Sequence, residues 1–325
     1  EYFFFNELAE GSCSKTVERA LSLAKEGHIH GVIAVGGVTA LNVGRAVAAM
    51  FNEVHSFNTF LDGAQPNTNP IPCICVPSTY RTPFVFTNEV PITDSRNHQV
   101  KLLKVQKNLC KLVLYDPNMT LTLTDNQKAT LSIELISMAV EAYLSQKANF
   151  FSDTFVEKGL QLLTYALDGS PSLDITTPEE ILLAQAGTML SLATTSSSLG
   201  LASLLSLTIN SRYSIVKPLI SSILLPYMLE DAAKYKSSQI VKLAKIMNCI
   251  PEDENPSSEE ICNYFIESIR QRIAKANLPT RLKDLNLTIE QLSLAVEDVK
   301  QIDIVNTLPR SMSTDDIFDF VKKAY

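Results

Sequence analysis

GVIAVGGVTALNVGRAVAAMF, residues 31–51, reads as strand, glycine turn and helix in one continuous stretch. Gly31 to Val35 is a short apolar run of the buried-strand type, and Gly36-Gly37 closes it. Thr39 to Phe51 then places Leu41, Val43, Val47 and Met50 at helical spacing. Upstream, Thr16 to Glu26 carries Val17, Ala20, Leu21 and Ala24 at the same period, with Gly27 as a stop. Downstream, Ile71 to Pro77 and Lys111 to Tyr115 are further buried-type strands. Helices alternating with such strands predict an α/β domain with a largely parallel sheet over residues 1–124.

From residue 125 to 325 the texture changes. Only Gly159, Gly169, Gly187 and Gly200 occur, and apolar spacing is helical nearly throughout, which predicts an all-α second domain. Pro171, Pro178, Pro218, Pro226, Pro251, Pro256 and Pro279 are expected to punctuate it, and Asp315-Asp316 to begin a final amphipathic helix.

With 325 residues, 46% hydrophobic and 19% charged, the chain can bury a large core, which excludes a disordered or fibrous protein. A net charge of −7 with no Lys/Arg-rich stretch opposes phosphate backbones, so no nucleic-acid partner is expected. Ile181 to Ser211 holds no charged residue and exceeds the roughly 20 residues of a membrane span. Its clustered Thr194 to Ser198 and the lack of flanking basic belts favour a buried helix pair, with no membrane partner. Cys13, Cys73, Cys75, Cys110, Cys249 and Cys262 are scattered along the chain without a zinc-type CxxC pair, and read as reduced thiols of a cytoplasmic protein.

The glycine turn is the first candidate site. Backbone N–H groups at a helix N-terminus attract an anion such as a dinucleotide diphosphate, and Gly36, Gly37, Val38 and Thr39 would make the contacts. The same pattern also fits a tight turn with Thr39 as N-cap. Ser78 and Thr79 bring hydroxyls to the same edge of the sheet, where open α/β folds bind ligands. His28 and His30 alternate as a candidate ligand pair, but no carboxylate or third imidazole is placed with them. The remaining histidines are His55 and His98, so the helical domain has none and an imidazole-built metal site there is excluded.

Several segments together resemble the iron-containing alcohol dehydrogenases, NAD(P)-dependent oxidoreductases acting on alcohols and aldehydes. Gly36 to Arg45 is similar to the family's GGGSxxDxxK loop, and Pro77 to Thr82 to its PTTxGT loop. Ile92-Thr93-Asp94 with Lys101, and Tyr115-Asp116-Pro117, match in order. So do Ala139 to Tyr143 (AVEAY), Ile223 to Pro226 (ILLP) and Asn306 to Arg310.

The resemblance implies a Rossmann-like nucleotide-binding domain of dehydroquinate synthase type, then a helical metal and substrate domain. It also implies a βαβ stretch before residue 1, a small-molecule or nucleotide ligand, and a homodimer. Thr82 and Lys101 join the cofactor-side residues, and Arg45 or Arg81 is expected to attract phosphate, while Tyr80, Arg81 and Phe84 add bulk on the nicotinamide side.

Iron or zinc is the metal that the resemblance implies, yet it places the four ligand positions at Glu134, Met138, Ser203 and Lys217. Three imidazoles are thus replaced by a thioether, a hydroxyl and an ammonium, so no bound metal is expected there. Lys217 is then the residue to stand in the metal's electrostatic place, paired with Glu134, or to polarise a carbonyl as the catalytic group. A non-catalytic relative, acting as nucleotide sensor, scaffold or partner subunit, is the alternative to an active oxidoreductase.

Overall fold

The computed structural model describes residues 1–169, 177–251 and 255–325. Pro171, expected to end a helix, lies outside these residues. The chain divides into two compact units, Glu1–Leu121 and Thr122–Tyr325.

In the first unit, α1 (Ser14–Glu26) precedes β1 (Val32–Gly36), α2 (Val38–Met50) and the short α3 (Phe57–Leu61). Then follow β2 (Cys73–Pro77), β3 (Glu89–Asp94), β4 (Gln99–Lys104) and β5 (Cys110–Val113). Strands β1, β2 and β5 form a three-stranded sheet in that order, all pairs parallel. The antiparallel hairpin β3–β4 stands as a separate two-stranded sheet and was not anticipated. Its short segments carry polar residues at Thr93, Gln99 and Lys101, which blur the apolar run that marks a buried strand.

Helix α2 packs on β1 and β2. Gly44 permits this, since a Cβ there would stand 2.6 Å from the Ala34 Cβ. The opposite face of the sheet exposes Ile33 and Val35 of β1 and Leu112 of β5.

The second unit is helical: α4 (Asp125–Leu144), α5 (Phe150–Asp168), α6 (Glu179–Ser196), α7 (Leu201–Tyr213), α8 (Lys217–Ile246), α9 (Ser258–Lys275), α10 (Ile289–Val299) and α11 (Thr314–Lys323). Helix α4 starts at a capping box in which Thr124 and Gln127 satisfy each other's backbone, and its last fourteen residues are all buried. It packs against α5, α6, α7, α8 and α9, which explains why its apolar pattern runs all round rather than along one stripe.

Pro226, expected to end a helix, lies inside α8; the helix departs from regular dihedrals at Lys236 instead. Burial of Ile223 to Pro226 holds the segment helical despite the missing N–H. Helices α6 and α7 bend by 98° at their junction, and no single helix among the described residues is long and apolar enough to cross a membrane.

Candidate functional site

In the first unit the glycine turn joins β1 to α2. Gly36 takes φ +139°, a region that excludes side chains, and a Cβ there would also press the Ala40 Cβ at 3.0 Å. Gly37 is the N-cap of α2 in extended conformation, with Val38 the first helical residue. Thr39 therefore lies inside the helix, and its expected capping role is corrected: the cap position falls on Gly37, so the first-turn N–H groups keep no side-chain acceptor.

Strand register sets Gly36 opposite Pro77, and the Ser78 N–H donates to the Gly36 carbonyl at 2.9 Å. The Thr79 methyl lies beside Gly37. Gly36, Gly37, Ser78 and Thr79 are thus brought together at one sheet edge. Thr79 Oγ1 donates to the Arg81 carbonyl, and the Thr82 hydroxyl is hydrogen-bonded to the Tyr115 hydroxyl. Lys101 sits on β4 in the other sheet, where its charge acts on Asp62 and Asp94. Tyr80, Arg81 and Phe84 are all buried.

Arg45 is turned into the core. It is 1% exposed, with Nη1 donating to the Glu89 carbonyl at 3.2 Å and Nη2 to the Thr87 carbonyl at 2.6 Å. The helix period turns it toward the core rather than toward the loop, so its expected role in attracting phosphate is corrected. Asn42, one turn earlier, likewise donates inward, to the Pro91 carbonyl. His28 and His30 are exposed in the turn after α1.

The cysteines are not all scattered. Cys73, Cys75 and Cys110 place their sulfur atoms within 4.8 Å of one another. Cys110 is held down toward thiolate because the Cys73 and Cys75 thiols hydrogen-bond to it, and those two are pushed up by the same bonds. A C-x-C on a strand does put both thiols on one face, but the partner on β5 emerges only from sheet register.

In the second unit Glu134 and Met138 lie one turn apart on α4, both buried, and Glu141 continues the same face. Ser203, on the first turn of α7, is engaged with Glu141: its N–H donates to Oε1 at 2.9 Å and its hydroxyl to Oε2 at 2.5 Å. Gly200, the α7 N-cap, has no room for a Cβ, which would stand 2.8 Å from the Glu141 Cγ. Burial pushes the Glu141 carboxyl up, opposed by the Ser203 hydroxyl and by backbone amides at the α7 start. Glu141 escaped the sequence reading as a site residue, because an acid flanked by Val140, Ala142 and Tyr143 shows only its apolar neighbours. Lys217 opens α8, directly after the N-cap Val216, on a helix that packs against α4.

Comparisons with known proteins agree with this architecture. Residues 1–117 match the family described as iron-containing alcohol dehydrogenase, and residues 128–325 match the C-terminal part of the Fe-containing alcohol dehydrogenase family. Lactaldehyde reductase of Escherichia coli (strain K12) is 21% identical over 296 residues, covering 90% of this chain and 76% of that protein. Among solved structures, a 1,3-propanediol oxidoreductase superposes with a TM-score of 0.89 at 18% identity, covering all of this chain and 85% of its own. An alcohol dehydrogenase from Oenococcus oeni gives 0.89 at 20% identity, with 84% of that chain covered. Both likenesses establish the fold, and the two matched segments together establish that this chain belongs to the iron-containing alcohol dehydrogenase family of oxidoreductases.

Proposed function

We propose that this chain is a nucleotide-binding member of its family that has given up metal-dependent hydride transfer at the family's centre. The observation carrying this reading is the donor set at the four ligand positions. Glu134 offers a carboxylate, but Met138 offers only a thioether, the Ser203 hydroxyl is spent on Glu141, and a protonated Lys217 has no lone pair to give. Such a set does not fit iron or zinc. Lys217, half-buried, takes the cation's place electrostatically and pairs with Glu134, since the buried Glu134 charge is not stable alone. The packing of α8 on α4 supports this pairing.

The residues of the first unit do fit a diphosphate. Gly36 and Gly37 put no side chain of their own at the approach to the α2 N-terminus, and Ser78 and Thr79 stand next to it. Bound NAD(P) would supply hydride chemistry; the chain's part here is to hold the phosphates. The first unit is on this reading the nucleotide domain, and the second the altered metal and substrate domain.

A fluorescence titration of the full chain with NADH and NADPH tests the reading. Saturable binding, lost in Gly37→Asp, together with no aldehyde reduction when Fe²⁺ is added, is expected. Aldehyde turnover that Fe²⁺ stimulates and Glu134→Gln abolishes would overturn it. Membership of an oxidoreductase family favours a second reading, in which the Lys217 ammonium stabilises a developing alkoxide. Metal-independent turnover that disappears in Lys217→Met would favour that reading instead.

A further inference from the structure

We infer that Cys73, Cys75 and Cys110 form a three-thiolate site for a thiophilic divalent cation of the zinc type, in the first unit and separate from the family's ligand positions. The placement begins with strand geometry. Cys73 and Cys75 are alternate residues of β2 and so share one face, and both are fully buried on the side where α2 packs. Register sets Cys110 of β5 directly opposite Cys73, and the pairing then shifts, so that Ile74 faces Leu112 rather than Lys111. The extra residue is a bulge, a device that re-aims side chains, and Cys110 stands at its start. The result is the convergence of all three sulfur atoms within 4.8 Å. Bonds of about 2.3 Å in a tetrahedral site set sulfur atoms about 3.8 Å apart, so a closure of under about 1 Å seats an ion. Cys110 alone of the three keeps solvent exposure, which marks the side of entry and of the fourth coordination position.

Charge supplies the second, independent observation. Arg45 is the largest fully buried side chain among the described residues, and its charge acts on all three thiols. Its Nε is buried and has no hydrogen-bond partner among the described residues. A guanidinium stays protonated, so its surroundings must supply the anion. Three thiolates around a divalent ion carry one net negative charge, which one guanidinium cancels. Binding forms three metal–sulfur bonds; the Cys73 and Cys75 S–H bonds break, and their protons, with any still on Cys110, go to solvent. Packing alone explains a single buried thiol, but not three converging beside a buried guanidinium.

The test uses the full chain, reduced, stripped with a chelator and titrated with Co²⁺ alone and then Zn²⁺. A sulfur-to-cobalt charge-transfer band saturating at one ion per chain and displaced by Zn²⁺ is expected. X-ray absorption of the zinc form should then show three sulfurs at about 2.3 Å. Cys110→Ser should abolish the band and Cys249→Ser, in the second unit, should leave it intact. Arg45→Met, which keeps the volume, should weaken zinc by about 10- to 100-fold, as loss of a supporting charge does. No charge-transfer band in the wild type, a band unchanged in Cys110→Ser, or a protein that forms a Cys110 disulfide under mild peroxide while zinc gives no protection, would each overturn the assignment. Because the readout is a sulfur band, its failure leaves the nucleotide titration untouched, and the reverse also holds.

Discussion

The two units each bury a charged-type side chain, and they meet its cost in opposite ways. In the first, Arg45 donates to two carbonyls of the Thr87–Glu89 segment and lies beside three thiols. In the second, Glu141 accepts from the Ser203 amide and hydroxyl at the start of α7. An acid can escape burial by taking up a proton, and burial pushes the Glu141 carboxyl in that direction. A guanidinium has no such exit. The contrast teaches that a buried acid needs only hydrogen-bond partners, whereas a buried arginine needs a partner able to become an anion, and near Arg45 the thiols are the groups that can.

The sharpest way to break the contrast is to delete the cation. Arg45→Ala leaves a cavity and strips two partly buried carbonyls of their donor, for an expected loss of about 3–5 kcal/mol in chemical denaturation of the full chain. A loss below about 1 kcal/mol would mean that Arg45 was not committed to the core.

Ser203→Ala comes next. It removes one hydrogen bond to a buried carboxyl and should cost about 1–3 kcal/mol, more at alkaline than at acid pH, because the ionised form loses the most. A loss independent of pH would show that Glu141 stays protonated throughout.

Asp94 gives the opposite sign for comparison. The Arg96 side chain and N–H hold its carboxyl below the usual range, so its contribution is present above that range and fades as pH falls through the lowered value. Arg96 is 46% exposed, so Arg96→Met should cost less at neutral pH than Ser203→Ala does, and less still in acid.

Glu141→Gln has the smallest expected effect on stability and the clearest sign. The folded state holds the Glu141 proton more tightly than the unfolded chain, so wild-type stability falls as pH rises above the ordinary carboxylate range toward the raised value. The amide removes that slope and leaves the acid-side stability near wild type. A thermal melt series in pH reads it directly, and an unchanged slope would reassign the titration to another group.

Strand–glycine–helix order, the parallel sheet and the helical second half were legible because their signals are periodic and local, and the match at residues 31–51 is nearly residue for residue with β1 and α2. The hairpin β3–β4 escaped because its strands alternate weakly and gain their partners only from each other. Pro226 misled because local chemistry says stop while the core around α4 holds the helix together. At the site level the glycine turn was found from its own residues. Arg45 was assigned outward because a sequence does not state which way a helix is rotated on its sheet.

What the sequence by itself determined is the set of chemistries: two glycines after a strand, no imidazole in the second half, a lysine and a serine where the family resemblance sets metal ligands, and six cysteines. These follow from residue identity and short-range period, and both act within a few residues. Which groups meet was decided only by tertiary structure. Strand register aligned Cys110 with Cys73, the rotation of α2 on its sheet sank Arg45 beside them, and the docking of α7 on α4 gave Ser203 to Glu141. Each of these joins residues tens of positions apart, and burial of apolar surface, not any local preference, pulls them together.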